Sequence, residues 1–257
     1  MRFHKIYALS LRHIYLICSS FPRIIDLIYW PTVQIFLWGF ISKFFTLNST
    51  YYSNTVGIIL TAAILYDFLF RASISYNMMF LEEIWSRNFT NLFIAPIKIS
   101  EIIASLTLTA IFRTLIGLVP ATILAIPLFG VSVFKLGIPL LFLLLSLYIF
   151  GITLGVLVTS GLLRFGPAFE SVAWASLFFL APLGCIYYPI EILPHSLQLI
   201  AKALPLVHIF EEMRNILLNN SVSWFQIIKS ISISIMYFVF GVIVFYVSYF
   251  GAKVRGT

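Results

Sequence analysis

Hydrophobic residues fill six long stretches of this chain, at about residues 27–45, 55–80, 102–127, 136–163, 171–190 and 230–252. Residues 136–163 carry no charged side chain over 28 positions. A helix of roughly 20 apolar residues crosses the ~30 Å hydrocarbon core of a bilayer. Because the stretches are continuous rather than alternating, they predict an all-α membrane protein with six transmembrane helices and not a β-barrel.

Two segments outside the spans have distinctive patterns. Within residues 1–23, basic residues and His13 fall on one arc of a helix, opposite Phe3, Tyr7, Leu11, Ile14 and Cys18. This pattern predicts an interfacial helix, with an ordinary basic flank as the alternative. The first span is predicted to follow Pro31 and to end near Lys43. Residues 82–98 mix polar and apolar side chains, which predicts a short cytoplasmic helix ending at Pro96.

A proline-rich but still apolar region follows the fifth stretch. Pro182, Pro189, Pro194 and Pro205 interrupt any continuous helix there. A region this apolar is unsuited to a free loop. We therefore expect residues 186–226 to form an external re-entrant region of short helices, buried against other spans.

Composition and charge set the class and the orientation. A soluble domain of 257 residues could not bury 61% hydrophobic residues with only 10% charged ones. The net charge of +7 is spread among membrane segments, so it favours membrane orientation over nucleic-acid binding. Placing both termini in the cytoplasm puts nine Lys and Arg residues inside and five outside, as cytoplasmic loops prefer.

Three charged residues fall inside predicted spans. Asp67 and Arg71 are four positions apart, so they share a helix face and can pair. They either line a pathway or neutralise each other. Arg113 has no acidic residue within reach along its own helix, so it needs another span, water or an acidic substrate group as its partner. These three are the candidate pathway residues.

Catalytic and cofactor motifs are absent from the sequence. The four histidines have no metal-ligand spacing, and the 13 glycines include no phosphate-binding G-x-x-x-x-G-K-[ST] loop. We therefore expect no enzymatic activity, no metal and no bound cofactor in this chain.

Residues 87–96 (RNFTNLFIAP) and 188–194 (YPIEILP), the latter continuing to Pro205 and Arg214, resemble two conserved patterns of ABC-2-type transporter permeases. The resemblance covers nearly the whole chain as one transmembrane domain. It departs at residues 88–90 (NFT), where many members carry Gly-Thr.

The resemblance implies an exporter subunit in a bacterial cytoplasmic (inner) membrane. Two copies of the chain, or two related chains, form the pathway, and two ATP-binding subunits bind ATP and Mg²⁺ and hydrolyse the ATP. The coupling helix that contacts them comprises Glu82, Glu83, Trp85, Arg87, Asn88, Phe89, Thr90 and Asn91. An external gate comprises Pro189, Glu191, Pro194 and Pro205. The substrate class is amphipathic, lipid-linked, glycan or drug-like.

Two other functions stay open at this point. An ion-coupled secondary transporter would use Asp67, Arg71 and Arg113 as its coupling site. A membrane enzyme acting on lipid would need clustered acidic or histidine residues at one membrane face, where the chain offers only Glu82-Glu83 and Glu211-Glu212.

Overall fold

The computed structural model describes residues 3–48, 55–86, 88 and 95–255. Their secondary structure is helical, with no strand in these ranges. The nine α-helices of the described residues are α1 (Phe3–Cys18), α2 (Phe21–Asn48), α3 (Thr55–Trp85), α4 (Ile99–Phe129), α5 (Pro139–Phe165), α6 (Glu170–Leu183), α7 (His195–Lys202), α8 (Pro205–Asn219) and α9 (Trp224–Arg255). Short 3₁₀ turns lie at Val133–Leu136, Pro167–Phe169 and Ile190–Ile192.

Five helices are long and apolar enough to cross a membrane: Phe21–Phe45, Gly57–Trp85, Ile99–Phe129, Pro139–Phe165 and Trp224–Lys253. The chain therefore fits a multi-pass membrane protein. The predicted span over 171–190 corresponds to a shorter apolar helix, Pro167–Leu183. At 1.5 Å per residue this helix is roughly 25 Å long, less than the ~30 Å core.

The first long helix begins earlier than the sequence predicted, at Phe21, and passes through Pro31. Proline lacks an N–H, so the Leu27 carbonyl loses its usual donor within α2. Gly117 of α4 packs directly against that carbonyl, since a Cβ built at Gly117 would lie 2.3 Å from Leu27 O. The sequence pattern predicted a helix boundary at Pro31. Helix α2 instead continues through this proline, and α4 packs against the carbonyl that has lost its donor.

Helix directions follow from paired contacts. Helices α2 and α4 run in the same direction, because Leu27 lies against Gly117 and the Phe129 ring lies against Gly39. Helix α3 runs the opposite way to α4, since its first half shares a core with the second half of α4. Helices α5 and α9 are parallel: Ser146 pairs with Ser234, and Thr153 lies against Gly241.

Since α5 and α9 are parallel, residues 166–223 must carry the chain back from the end of α5 to the start of α9. Helix α6 makes this return along α3: Trp174 packs on Phe70, and the Tyr66 hydroxyl donates to the Leu177 carbonyl at 2.6 Å. We call the end of the bundle with α1, the end of α3 and the start of α4 the α1 end. The opposite, proline-rich end holds residues 184–223.

Candidate functional site

Charged side chains from four helices meet at the α1 end. We call the set Arg12, Arg23, Glu82, Glu83 and Arg113 the charged junction. Two adjacent glutamates at the end of α3 form its centre, and arginines of α1, α2 and α4 surround them.

Glu83 connects α1 to the residues that follow α3. It is only 4% exposed. Arg12 Nη1 lies 2.6 Å from Glu83 Oε1, and the Asn88 side-chain amide donates to Glu83 Oε2 at 2.7 Å. Both carboxylate oxygens are therefore bonded, as a buried carboxylate requires.

Glu82 is the partner of Arg113. Arg113 Nη1 lies 3.7 Å from Glu82 Oε1, and Arg23 Nη1 lies 3.8 Å from the same oxygen. Arg113 is 7% exposed, yet its Nε and Nη1 find no hydrogen-bond acceptor among the described residues. The Nη1 group is therefore paired with Glu82 at a distance longer than a hydrogen bond. Glu82 joins α3 to α4 through Arg113 and to α2 through Arg23.

Helix α1 packs on α4 through its polar side. Its buried residues are Ser10, His13 and Ile17, and the Ser10 hydroxyl donates to the Ser105 carbonyl at 3.3 Å. Lys5 donates to the Pro96 carbonyl, which attaches α1 to the segment before α4 as well. Phe3 and Tyr7 are exposed, so α1 keeps an apolar face outward.

His13 is buried beside Glu83, with 3.6 Å between His13 Nε2 and Glu83 Oε1. Burial lowers the pKa of His13 to about 4, against the opposing effect of the Glu83 carboxylate, and Arg12 and Arg113 lower it further. At neutral pH the imidazole is therefore uncharged, and Arg12 is the cation that pairs with Glu83.

The predicted coupling residues divide into three groups. Glu82, Glu83 and Asn88 face the junction within the chain. Trp85, between Glu83 and Asn88 in the sequence, is 57% exposed. Arg87, Phe89, Thr90 and Asn91 lie outside the described residues. The contact of this segment with an ATPase stays a prediction, and Trp85 is the described member whose side chain is available to a partner.

Asp67 and Arg71 pair with each other inside α3. Arg71 Nε lies 3.2 Å from Asp67 Oδ2, and both side chains are largely buried. Arg113 does not join them, because its partner Glu82 lies some four turns farther along α3. The three candidate pathway residues therefore belong to two separate places.

At the proline-rich end, polar side chains bond to backbone groups near the prolines. Arg214 Nη1 donates to the Cys185 and Ile186 carbonyls, at 2.9 and 3.2 Å. Glu212 accepts the Ser223 N–H at 2.6 Å, just before α9 begins. Of the predicted gate residues, Pro205 is buried at the start of α8. The other three, which are exposed, are Pro189, Glu191 and Pro194.

Sequence reasoning missed Arg12 and Arg23 as partners of the two glutamates. Arg12 and Glu83 are 71 positions apart, so no local spacing relates them. The available signal was opposite charge on the same predicted side of the membrane.

No family model matches this chain, and no curated protein matches it.

Proposed function

We propose that this chain is the transmembrane permease subunit of an ATP-driven ABC exporter. The single observation that carries the proposal is the charged junction. It attaches the start of segment 82–98 to α1 through Glu83 and to α2 and α4 through Glu82. A displacement of that segment by a partner would be transmitted to three helices at once.

The bundle geometry also supports the proposal. The direction of α6 between the parallel helices α5 and α9 favours six crossings, with both termini at the α1 end. We assign that end to the cytoplasmic side of a bacterial inner membrane, in agreement with the distribution of Lys and Arg along the sequence. The short helices at the proline-rich end would form the external gate. Two chains with two ATP-binding subunits would complete the transporter, and the substrate would be amphipathic, lipid-linked, glycan or drug-like.

The test is co-purification of ATP hydrolysis with the tagged chain, co-expressed with the candidate ATP-binding subunit from the same source. Three versions are compared: wild type, Trp85→Asp and Trp224→Asp. Trp85 is 57% exposed at the α1 end, and Trp224 is 48% exposed at the opposite end, which makes it a matched control.

We expect ATPase activity to co-purify with wild type and Trp224→Asp and to fall at least tenfold with Trp85→Asp, while that variant still elutes as a folded protein. Absence of ATPase activity from wild type would contradict the exporter. Wild-type ATPase activity co-purifying with Trp85→Asp would contradict the predicted contact between Trp85 and the ATP-binding subunit.

The alternative is an ion-coupled transporter that uses Asp67, Arg71 and Arg113. The observation in its favour is that Nε and Nη1 of buried Arg113 have no hydrogen-bond acceptor within the described part of the chain. It predicts transport in proteoliposomes that needs no ATP and stops when an ionophore collapses the ion gradient, whereas the exporter predicts the reverse.

A further inference from the structure

A long apolar groove separates α4 from α5 and α9. Its volume is about 650 Å³, and it is open along one side. Helix α4 packs on α1, α2 and α3, while α9 packs on α5 and α8, so the two sets diverge here. The Tyr148 hydroxyl, which donates to the Thr107 carbonyl, crosses the floor of the groove.

The groove is lined almost entirely by apolar surface, which suits a hydrocarbon chain. The α4 wall contains small residues along one side, Ser100, Ala104 and Thr107, and the α9 wall contains Phe238, Val242 and Tyr246. From Ser100 to Ile111 the α4 wall is roughly 16 Å long at 1.5 Å per residue. That is about half of the ~30 Å core, which is the depth of one leaflet's acyl chains.

Basic residues mark one end of this groove. Lys98 precedes Ser100 by two positions, and Lys253 follows Tyr246 by seven, which places it on the same face of α9 roughly 10 Å farther along. Both lysine side chains are exposed. Both therefore lie at the α1 end, beyond the last apolar lining residues, where a headgroup attached to a chain in the groove would be.

We propose that this groove binds one acyl chain of an anionic glycerophospholipid, with its phosphate beside Lys98 and Lys253. The apolar walls bind the chain, and the two lysines select the charge of the headgroup. Lysines near a membrane surface each contribute about 1 kcal/mol toward anionic lipid, which is about fivefold in affinity. The proposal is independent of the exporter function, because it concerns lipid binding alone.

The experiment measures lipid retention by native mass spectrometry on the full chain in detergent. Phosphatidylglycerol is compared with phosphatidylcholine of identical acyl chains. Ala104→Trp fills the groove, and Leu115→Trp is its control at an exposed position of α4 outside the groove. Lys98→Glu with Lys253→Glu reverses the charge, and Lys135→Glu is the control, in the 3₁₀ turn beyond the far end of α4.

We expect wild type to retain one phosphatidylglycerol in preference to phosphatidylcholine. Ala104→Trp loses both lipids at least tenfold, and Leu115→Trp loses neither. The double lysine variant loses its preference for phosphatidylglycerol by tenfold or more but still binds phosphatidylcholine. Since Lys98 precedes α4, a glutamate there favours the helix N-terminus and leaves folding intact.

Equal retention of phosphatidylglycerol by wild type and by folded Ala104→Trp overturns the proposal. So does an unchanged headgroup preference in the double lysine variant. A third arm tests a second copy of the chain as the occupant: Ala104→Cys in a Cys18→Ser background. Efficient disulfide-linked dimers there, without lipid retention by wild type, would make the groove an interface between copies instead.

Discussion

At the α1 end, arginines pair with carboxylates of other helices, whereas at the proline-rich end charged side chains bond mainly to the backbone. Arg12 and Arg113 have carboxylates as partners. Arg214 and Glu212 have the Cys185 carbonyl and the Ser223 N–H. The difference follows from the local chain, since long continuous helices satisfy their own backbone and interrupted ones do not.

This comparison separates two mechanical roles. Ion pairs between helices can exchange partners when the helices move, because Arg23 and Arg113 both lie beside the same oxygen of Glu82. Bonds to backbone groups near prolines fix the path of the chain itself. We infer that the α1 end is suited to transmit motion, and that the opposite end holds a fixed arrangement of short helices.

The largest expected effect is at Glu82. Glu82→Ala leaves the Arg113 guanidinium buried without its carboxylate, which we expect to cost about 3–5 kcal/mol of unfolding free energy. Thermal unfolding in detergent measures the loss. Arg113→Leu added to Glu82→Ala should recover most of it, because the uncompensated charge is then gone. A double variant no more stable than Glu82→Ala would show that Arg113 does not depend on Glu82.

Arg214→Leu tests the opposite end, with an expected loss of about 2–3 kcal/mol from the charged hydrogen bonds to the Cys185 and Ile186 carbonyls. No second charge substitution should rescue it, because the acceptors are backbone atoms.

The same variant should speed maleimide labelling of Cys185 in a Cys18→Ser background. Cys185 is fully buried, and burial raises the pKa of its thiol to about 11, so labelling of the wild-type site is slow. Glu82→Ala is the matched control and should leave the labelling rate unchanged if the two ends open independently.

Acid should weaken the α1 end through His13. Its folded-state pKa is about 4, below the unfolded value of 6.5, so the unfolded chain takes up the proton first. The stability is present above pH 6.5 and is lost as pH falls toward 4. At pH 5.5 we expect a loss on the order of 1 kcal/mol.

Denaturant unfolding of wild type and His13→Gln between pH 7.5 and 5.5 measures this loss as the difference between their pH slopes. That difference excludes the contribution of His208, whose pKa burial also lowers. His195→Gln, at an exposed histidine, should keep the wild-type slope. Identical slopes for wild type and His13→Gln would contradict a neutral, buried His13.

Hydrophobic pattern was enough to predict the long helices, because a span depends on a local run of residues. It could not predict where α6 ends. The sequence stays apolar to residue 190, but Pro182 lies in the last turn and Cys185 adopts a left-handed φ of 51°. The ion-pair partners in the charged junction could not be predicted from the sequence either. The sequence marked Arg113 as needing a partner on another span, but only tertiary packing brings Glu82 to it.

The smallest expected effect is at the surface of the proline-rich end. Glu191→Gln and Pro194→Ala change exposed side chains, so we expect unfolding free energies within about 0.5 kcal/mol of wild type. Labelling of Cys185 should also be unchanged in Pro194→Ala, in contrast to Arg214→Leu. Because these variants should keep stability and local structure, they test only whether the predicted gate residues act in transport. A change in transport or ATPase rate would assign Glu191 or Pro194 a role in passage, and wild-type rates would contradict the gate prediction for these two residues.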